Sequence, residues 1–69
     1  MKISARNVLK GKVTKVIHGA VSSEVAIALP NGIEVVAVIT KSSARALGLK
    51  KGKDAYAVIK ASSVMVAVD

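Results

Sequence analysis

Sixty-nine residues with no Cys, no Trp, no Phe and a single His and Tyr make one small domain, 1–69, with neither a disulfide framework nor a thiolate metal centre, and one imidazole cannot hold zinc alone. Eleven Lys and Arg stand against four Asp and Glu, a formal net charge of +7, which points to an anionic partner or a basic soluble surface. The chain is also 52% hydrophobic, more apolar side chain than one domain this short can hide, so a homo-oligomer is expected.

The first predicted element follows the segment Ile3-Ser4-Ala5-Arg6-Asn7. In an extended backbone Ser4 and Arg6 share a face, so a hydroxyl and a guanidinium aim at one point. Val8 to Ile17 alternates as a strand, with Val13, Lys15 and Ile17 on one side and Lys12, Thr14 and Val16 on the other. His18-Gly19-Ala20 reads as a turn. A second strand from Val21 to Leu29 puts Val21, Ser23, Val25, Ile27 and Leu29 on one face. Pro30-Asn31-Gly32 is a tight turn, because Asn-Gly supplies the positive φ that a hairpin requires.

Ile33 to Ile39 is a third strand, apolar on both faces through Val35, Ala37 and Ile39 on one side and Val36 and Val38 on the other. Such a strand expects cover on both faces, the second from another subunit. The period then changes: Thr40 to Gly48 reads as one or two helical turns, N-capped by Thr40 and stopped by Gly48. After the basic turn Leu49 to Lys53, Asp54 to Ala61 forms a fourth strand and Val64 to Val68 a fifth. Five short strands with one helix between the third and fourth predict an all-β, five-stranded OB-like Greek-key barrel.

Several functions are excluded or disfavoured on these residues. No run reaches the roughly 20 apolar residues of a membrane span. Met1-Lys2 opens no apolar signal-peptide core, so the expectation is a cytoplasmic protein with no membrane partner. Glu24, Glu34, Asp54 and Asp69 fall on no common face, and His18 has no adjacent nucleophile, which argues for a binding protein rather than an enzyme. No P-loop or helix-turn-helix fits the chain. A single-stranded nucleic acid would want several aromatic stacking platforms, and Tyr56 is the only aromatic, which leaves non-specific phosphate contact as a weaker alternative. A small anion suits the remaining donors better. Ser4, Arg6, Thr40, Ser43, Lys60 and Ser62 all lie at strand ends or at the helix start.

In combination these segments resemble a known family. "ISARN" followed by "LKGKV", then "VAVIT", "KSS" and "ARALGLKKGK", and the closing "YAVIKASSVMV" are similar to the molbindins, small molybdate-binding proteins built from one molybdate/tungstate-binding unit. The resemblance spans essentially the whole chain. It implies an OB-like barrel, a hexamer arranged as a trimer of dimers, and storage of molybdate or tungstate in the cytoplasm at subunit interfaces, with no cofactor. The alternative is a detached ligand-sensing module that docks on a regulator or transporter. Carried over residue by residue, the main site takes Ser4 and Arg6, Thr40 and Ser43, and Lys60, Ala61 and Ser62, with Ala61 contributing backbone. A second site near the three-fold axis takes His18, Gly19, Val21 and Ser22; His18 stands where many relatives carry Lys. The borrowed set fits the chemistry. Molybdate is a tetrahedral dianion whose oxygens only accept, and every residue of the main set donates, with Arg6 and Lys60 offsetting two charges.

Overall fold

In the computed structural model, which describes residues 1–69, four strands form one antiparallel sheet. They are β1 (Asn7–His18), β2 (Ser22–Ala28), β3 (Glu34–Thr40) and β4 (Asp54–Ile59), in the spatial order β3-β2-β1-β4. A six-residue helix, α1 (Lys41–Ala46), joins β3 to β4, and a single 3₁₀ turn covers Ala61–Ser63. No helix is long and apolar enough to cross a membrane.

The long strand β1 organises the sheet. Its first half pairs with β4, from Asn7↔Ile59 to Lys12↔Asp54, and its second half pairs with β2, from Lys12↔Ala28 to His18↔Ser23. The two pairings overlap at Lys12, next to Gly11, where a Cβ would lie 2.5 Å from the Ala28 carbonyl oxygen and 2.7 Å from Ile27 Cγ2. Only glycine lets β2 cross this closely, and the sheet curls there towards a barrel.

The expected phase of β1 is corrected by a bulge. Val13 pairs with Ile27 and Lys15 with Ala26, so Thr14 is an extra residue that shifts the alternation by one. Val13 is consequently buried, Val16 packs against the core, and Ile17 faces solvent. In β2 the expected inward face holds from Ser23 to Ile27, but Val21 is exposed and Ala26, on the opposite face, is buried as well. Ser23, Val25 and Ile27 of β2 and Ala57 of β4 are buried, and Val35, Ile39, Leu49 and Ala55 pack around them.

The helix begins where its cap predicts. Thr40 Oγ1 accepts from the Ser43 amide at 3.1 Å, and the chain leaves α1 through Gly48 at φ +63°, a left-handed conformation that suits glycine. Two expectations differ at the C-terminus. The fourth strand stops at Ile59 rather than Ala61, because the backbone turns at Ala61–Ser63. The fifth strand, Val64 to Val68, is not formed: the segment has no ladder partner in its own chain, and Val66 and Val68 are about nine-tenths exposed. On the outer face of β3, Val36 and Val38 are likewise exposed.

Candidate oxyanion site

The residues expected at the main site divide into two groups at opposite ends of β1. Antiparallel pairing places the start of β1 beside the end of β4, through Asn7↔Ile59, and the end of β1 beside the start of β2 and the end of β3, through His18↔Ser23 and Ser22↔Thr40. Ser4 and Arg6 precede β1 and Lys60 to Ser62 follow β4, so these five meet. Thr40 and Ser43 belong to the other end. Twelve strand residues at about 3.3 Å each span up to about 36 Å, and curling of the sheet shortens this without bringing the ends into one pocket.

The first group lines a cleft of about 430 Å³ formed by Ile3, Ser4, Ala5, Arg6, Lys60, Ala61 and Ser62. Its polar side chains are two hydroxyls, a guanidinium and an ammonium, and no carboxylate lines it. Ile3 and Ala5 are wall residues that the sequence did not single out. All of these groups are exposed apart from the half-buried Ala5, so in one chain both cations stay hydrated. The cleft is far larger than a tetrahedral oxyanion, since pockets of this volume class accommodate drug-sized molecules. Just below its floor, Asn7 Nδ2 donates to the Ile59 carbonyl at 3.2 Å.

The second group is a chain of hydroxyls at the start of α1. Thr40 Oγ1 donates to Ser43 Oγ at 2.7 Å and lies 3.3 Å from Ser42 Oγ. A hydroxyl has one proton to give, and that of Thr40 is committed to Ser43. The Ser43 hydroxyl accepts from Thr40 and keeps its own proton for another partner.

The residues expected at the second site also sit at this end, in the turn between β1 and β2. The Gly19 amide donates to the Ser22 carbonyl at 2.7 Å, and the Lys41 amide donates to the Val21 carbonyl at 2.8 Å, which fastens the turn to α1. His18 ends β1 instead of lying in the turn, and its Nδ1 lies 2.6 Å from Ser23 Oγ. Ser23 is 1% exposed, so His18 is the partner that satisfies a buried hydroxyl. Its Nε2 and the exposed Ser22 hydroxyl remain as outward polar groups.

A separate cleft of about 290 Å³ lies over Gly11, between Lys10, Lys12, Pro30 and Asp54. Lys12 is paired there with Asp54 at 3.2 Å, and a carboxylate in the wall makes it a poor receptor for a dianion.

The chain matches the TOBE domain over residues 3–66. It is 46% identical over 69 residues, the full length of both chains, to a probable molybdenum-pterin-binding protein of Haemophilus influenzae. Its structure superimposes on a molybdate-binding protein from Sporomusa ovata with a TM-score of 0.93 and 35% identity, covering 99% of this chain and all of that one. It also superimposes on ModG, a cytoplasmic molybdate-binding protein solved with molybdate bound, with a TM-score of 0.85 and 48% identity; there it covers 88% of this chain and 43% of ModG. The chain belongs to the TOBE-domain family, among its small molybdenum-pterin-binding members, the molbindins.

Proposed function

We propose that this chain is a binding protein, not an enzyme, that takes molybdate or tungstate at sites completed by a second copy of itself. One observation carries the reading. The carboxylate-free cleft that gathers Ser4, Arg6, Lys60 and Ser62 lies at the opposite end of β1 from Thr40 and Ser43. A tetrahedral dianion needs more donors than one bank supplies, and the oversized cleft leaves room for another wall. The Ser43 hydroxyl of a neighbouring copy is the natural second wall, and Ala61 adds backbone to the first. The molybdate-binding relatives from Sporomusa ovata and ModG support the choice of ligand.

The exposed apolar surface supports self-association. Strands β3 and β4 are both edges of the sheet, and an unpaired edge accepts an added strand. The extended, apolar Val64–Val68 segment of a second copy supplies such a strand and completes the five-stranded barrel between chains. A hexamer built as a trimer of dimers follows the family, with the His18, Gly19, Val21 and Ser22 turns meeting at its three-fold axis as secondary oxyanion sites. Storage of molybdate in the cytoplasm is the role that fits a free-standing binder. The longer ModG chain, of which the match covers 43%, favours a second reading as a docking module for a longer protein.

Elemental analysis of the purified oligomer together with calorimetry decides between them. Molybdenum or tungsten in the protein, and saturable binding of either oxyanion with sulfate as control, is the expected result. Absence of both would leave only the docking reading.

A further inference from the structure

The oxyanion cleft has two banks, Ser4 to Arg6 and Lys60 to Ser62, and neither lies in a strand. Each starts one residue beyond the last rung of the β1–β4 ladder, Asn7↔Ile59. The separation of Arg6 from Lys60 is therefore set by that single rung. The bank on the β4 side is closed by its own backbone bonds, Ser63 amide to Lys60 carbonyl at 2.9 Å and Val64 amide to Ala61 carbonyl at 3.3 Å, and its 3₁₀ turn has no side-chain cap. Terminal rungs fray first, because nothing beyond them closes the ladder.

Asn7 answers this problem. Its half-buried side chain donates from Nδ2 to the Ile59 carbonyl at 3.2 Å, which adds a side-chain link to the rung that adjoins both banks of the cleft. The other side-chain link between these strands, the Lys12–Asp54 ion pair, is at the far end of the ladder with both side chains more than three-fifths exposed. We infer that Asn7 is a positioning residue of the oxyanion site, which acts through the Ile59 carbonyl to hold Arg6 and Lys60 at the spacing one tetrahedral dianion bridges. The inference rests on the reading of the cleft given above. It assigns a purpose to the last letter of "SARN", which does not line the cleft. Hydrogen bonds to a compact ion tolerate a few tenths of an ångström, so a frayed rung loses affinity before it loses the fold.

The test measures molybdate affinity by calorimetry, and thermal midpoints without ligand, on the assembled full-length protein. The variants are Asn7→Ala, Asn7→Asp, Arg6→Ala, and Ile27→Val as a core variant of mild destabilisation. Asn7→Ala is expected to bind about five- to tenfold more weakly, the range one ordinary hydrogen bond corresponds to, with an unliganded midpoint no lower than that of Ile27→Val. Ile27→Val is expected to bind as wild type. Asn7→Asp, which keeps the shape but replaces the donor with a charged acceptor, is expected to bind more weakly than Asn7→Ala. Binding by Asn7→Ala within twofold of wild type overturns the inference, as does a loss that Ile27→Val shares. Should Asn7→Ala not fold, the isosteric Asn7→Asp carries the same criterion. Normal binding by Arg6→Ala would instead remove the oxyanion reading of the cleft, whereas weak binding by Arg6→Ala beside normal binding by Asn7→Ala removes only the role of Asn7.

Discussion

A mixing experiment tests whether one site draws on two chains. Arg6→Ala damages one half of the proposed site and Ser43→Glu the other. Arg6 is exposed and precedes β1, so its loss removes charge-assisted hydrogen bonds of about 1.5–3 kcal/mol, or roughly ten- to hundredfold in affinity, without touching the core. Ser43 is three residues after the Thr40 cap, the position where a glutamate completes a capping box. The first turn of α1 has no acidic residue, so a carboxylate there favours the helix dipole by about 0.3–1 kcal/mol while it repels a dianion. Both variants are thus expected to fold and assemble, and each alone to bind at least about tenfold more weakly than wild type.

Co-expression gives the decisive number. If each site takes its Arg6 half from one chain and its Ser43 half from another, random assembly of equal amounts makes an intact site with probability one-half times one-half, about one site in four. Equilibrium dialysis at a molybdate concentration that saturates wild type reads this fraction directly, with mass spectrometry confirming that the chains have mixed. A mixed oligomer with no restored sites, beside wild type that binds fully, would mean that both halves come from one chain. The separation along β1 would then be the wrong guide to the site.

Other consequences follow from individual contacts. Gly11→Ala forces a methyl to 2.5 Å from the Ala28 carbonyl and is expected to cost about 1–3 kcal/mol, read as a lower urea midpoint; a midpoint equal to that of wild type contradicts the close crossing. His18→Ala strips the buried Ser23 hydroxyl of its partner at about 1–3 kcal/mol, and adding Ser23→Ala is expected to recover part of the loss in a double-mutant cycle; strict additivity would show that the pair is not coupled. Deletion of residues 64–69 is expected to lower the molar mass measured by light scattering, and an unchanged mass argues against strand exchange. Molybdate at about 100 times its dissociation constant is expected to stabilise the assembly by about 2.7 kcal/mol, seen as a raised melting temperature that sulfate does not reproduce.

What was legible in the sequence was whatever a local rule fixes. Asn31-Gly32 announced a turn, Thr40 and Gly48 bounded the helix, and the alternation through Ser23, Val25 and Ile27 marked the inward face of β2. The reversal at Thr14 was not legible, because a bulge is a property of two strands in register and the β1 sequence alternates plausibly in either phase. For the same reason the fifth strand was overread. Val64 to Val68 has strand composition, but a strand exists only where the segment meets a free edge, and this one pairs with neither β3 nor β4 of its own chain. The site residues were recognisable as donors at element ends, yet their division into two groups depends on pairing order. Ser22↔Thr40 and Asn7↔Ile59 are non-local facts that no spacing encodes. Asn7 was passed over since an amide beside an arginine carries no signal until its partner carbonyl, 52 residues away, is known.

The distribution of acids sharpens the choice of ligand. Glu34 accepts from the Thr14 hydroxyl at 3.2 Å and Asp54 is paired with Lys12, so two of the four carboxylates are engaged on side chains remote from the cleft, and none lines it. Hydrogen phosphate carries a proton that needs an acceptor, and the only side-chain acceptors in this wall are neutral hydroxyls, with no carboxylate to take it. Molybdate, tungstate and sulfate carry none at neutral pH, so the missing carboxylate disfavours phosphate while cavity size has to separate the other three. In the two-chain site proposed above, the size of the cavity is set by how far the Ser43 bank of a neighbour approaches Arg6 and Lys60. On that proposal selectivity among the tetrahedral dianions is a property of the interface, and a substitution that shifts the subunits is expected to change the preferred anion without altering a single side chain of the proposed site.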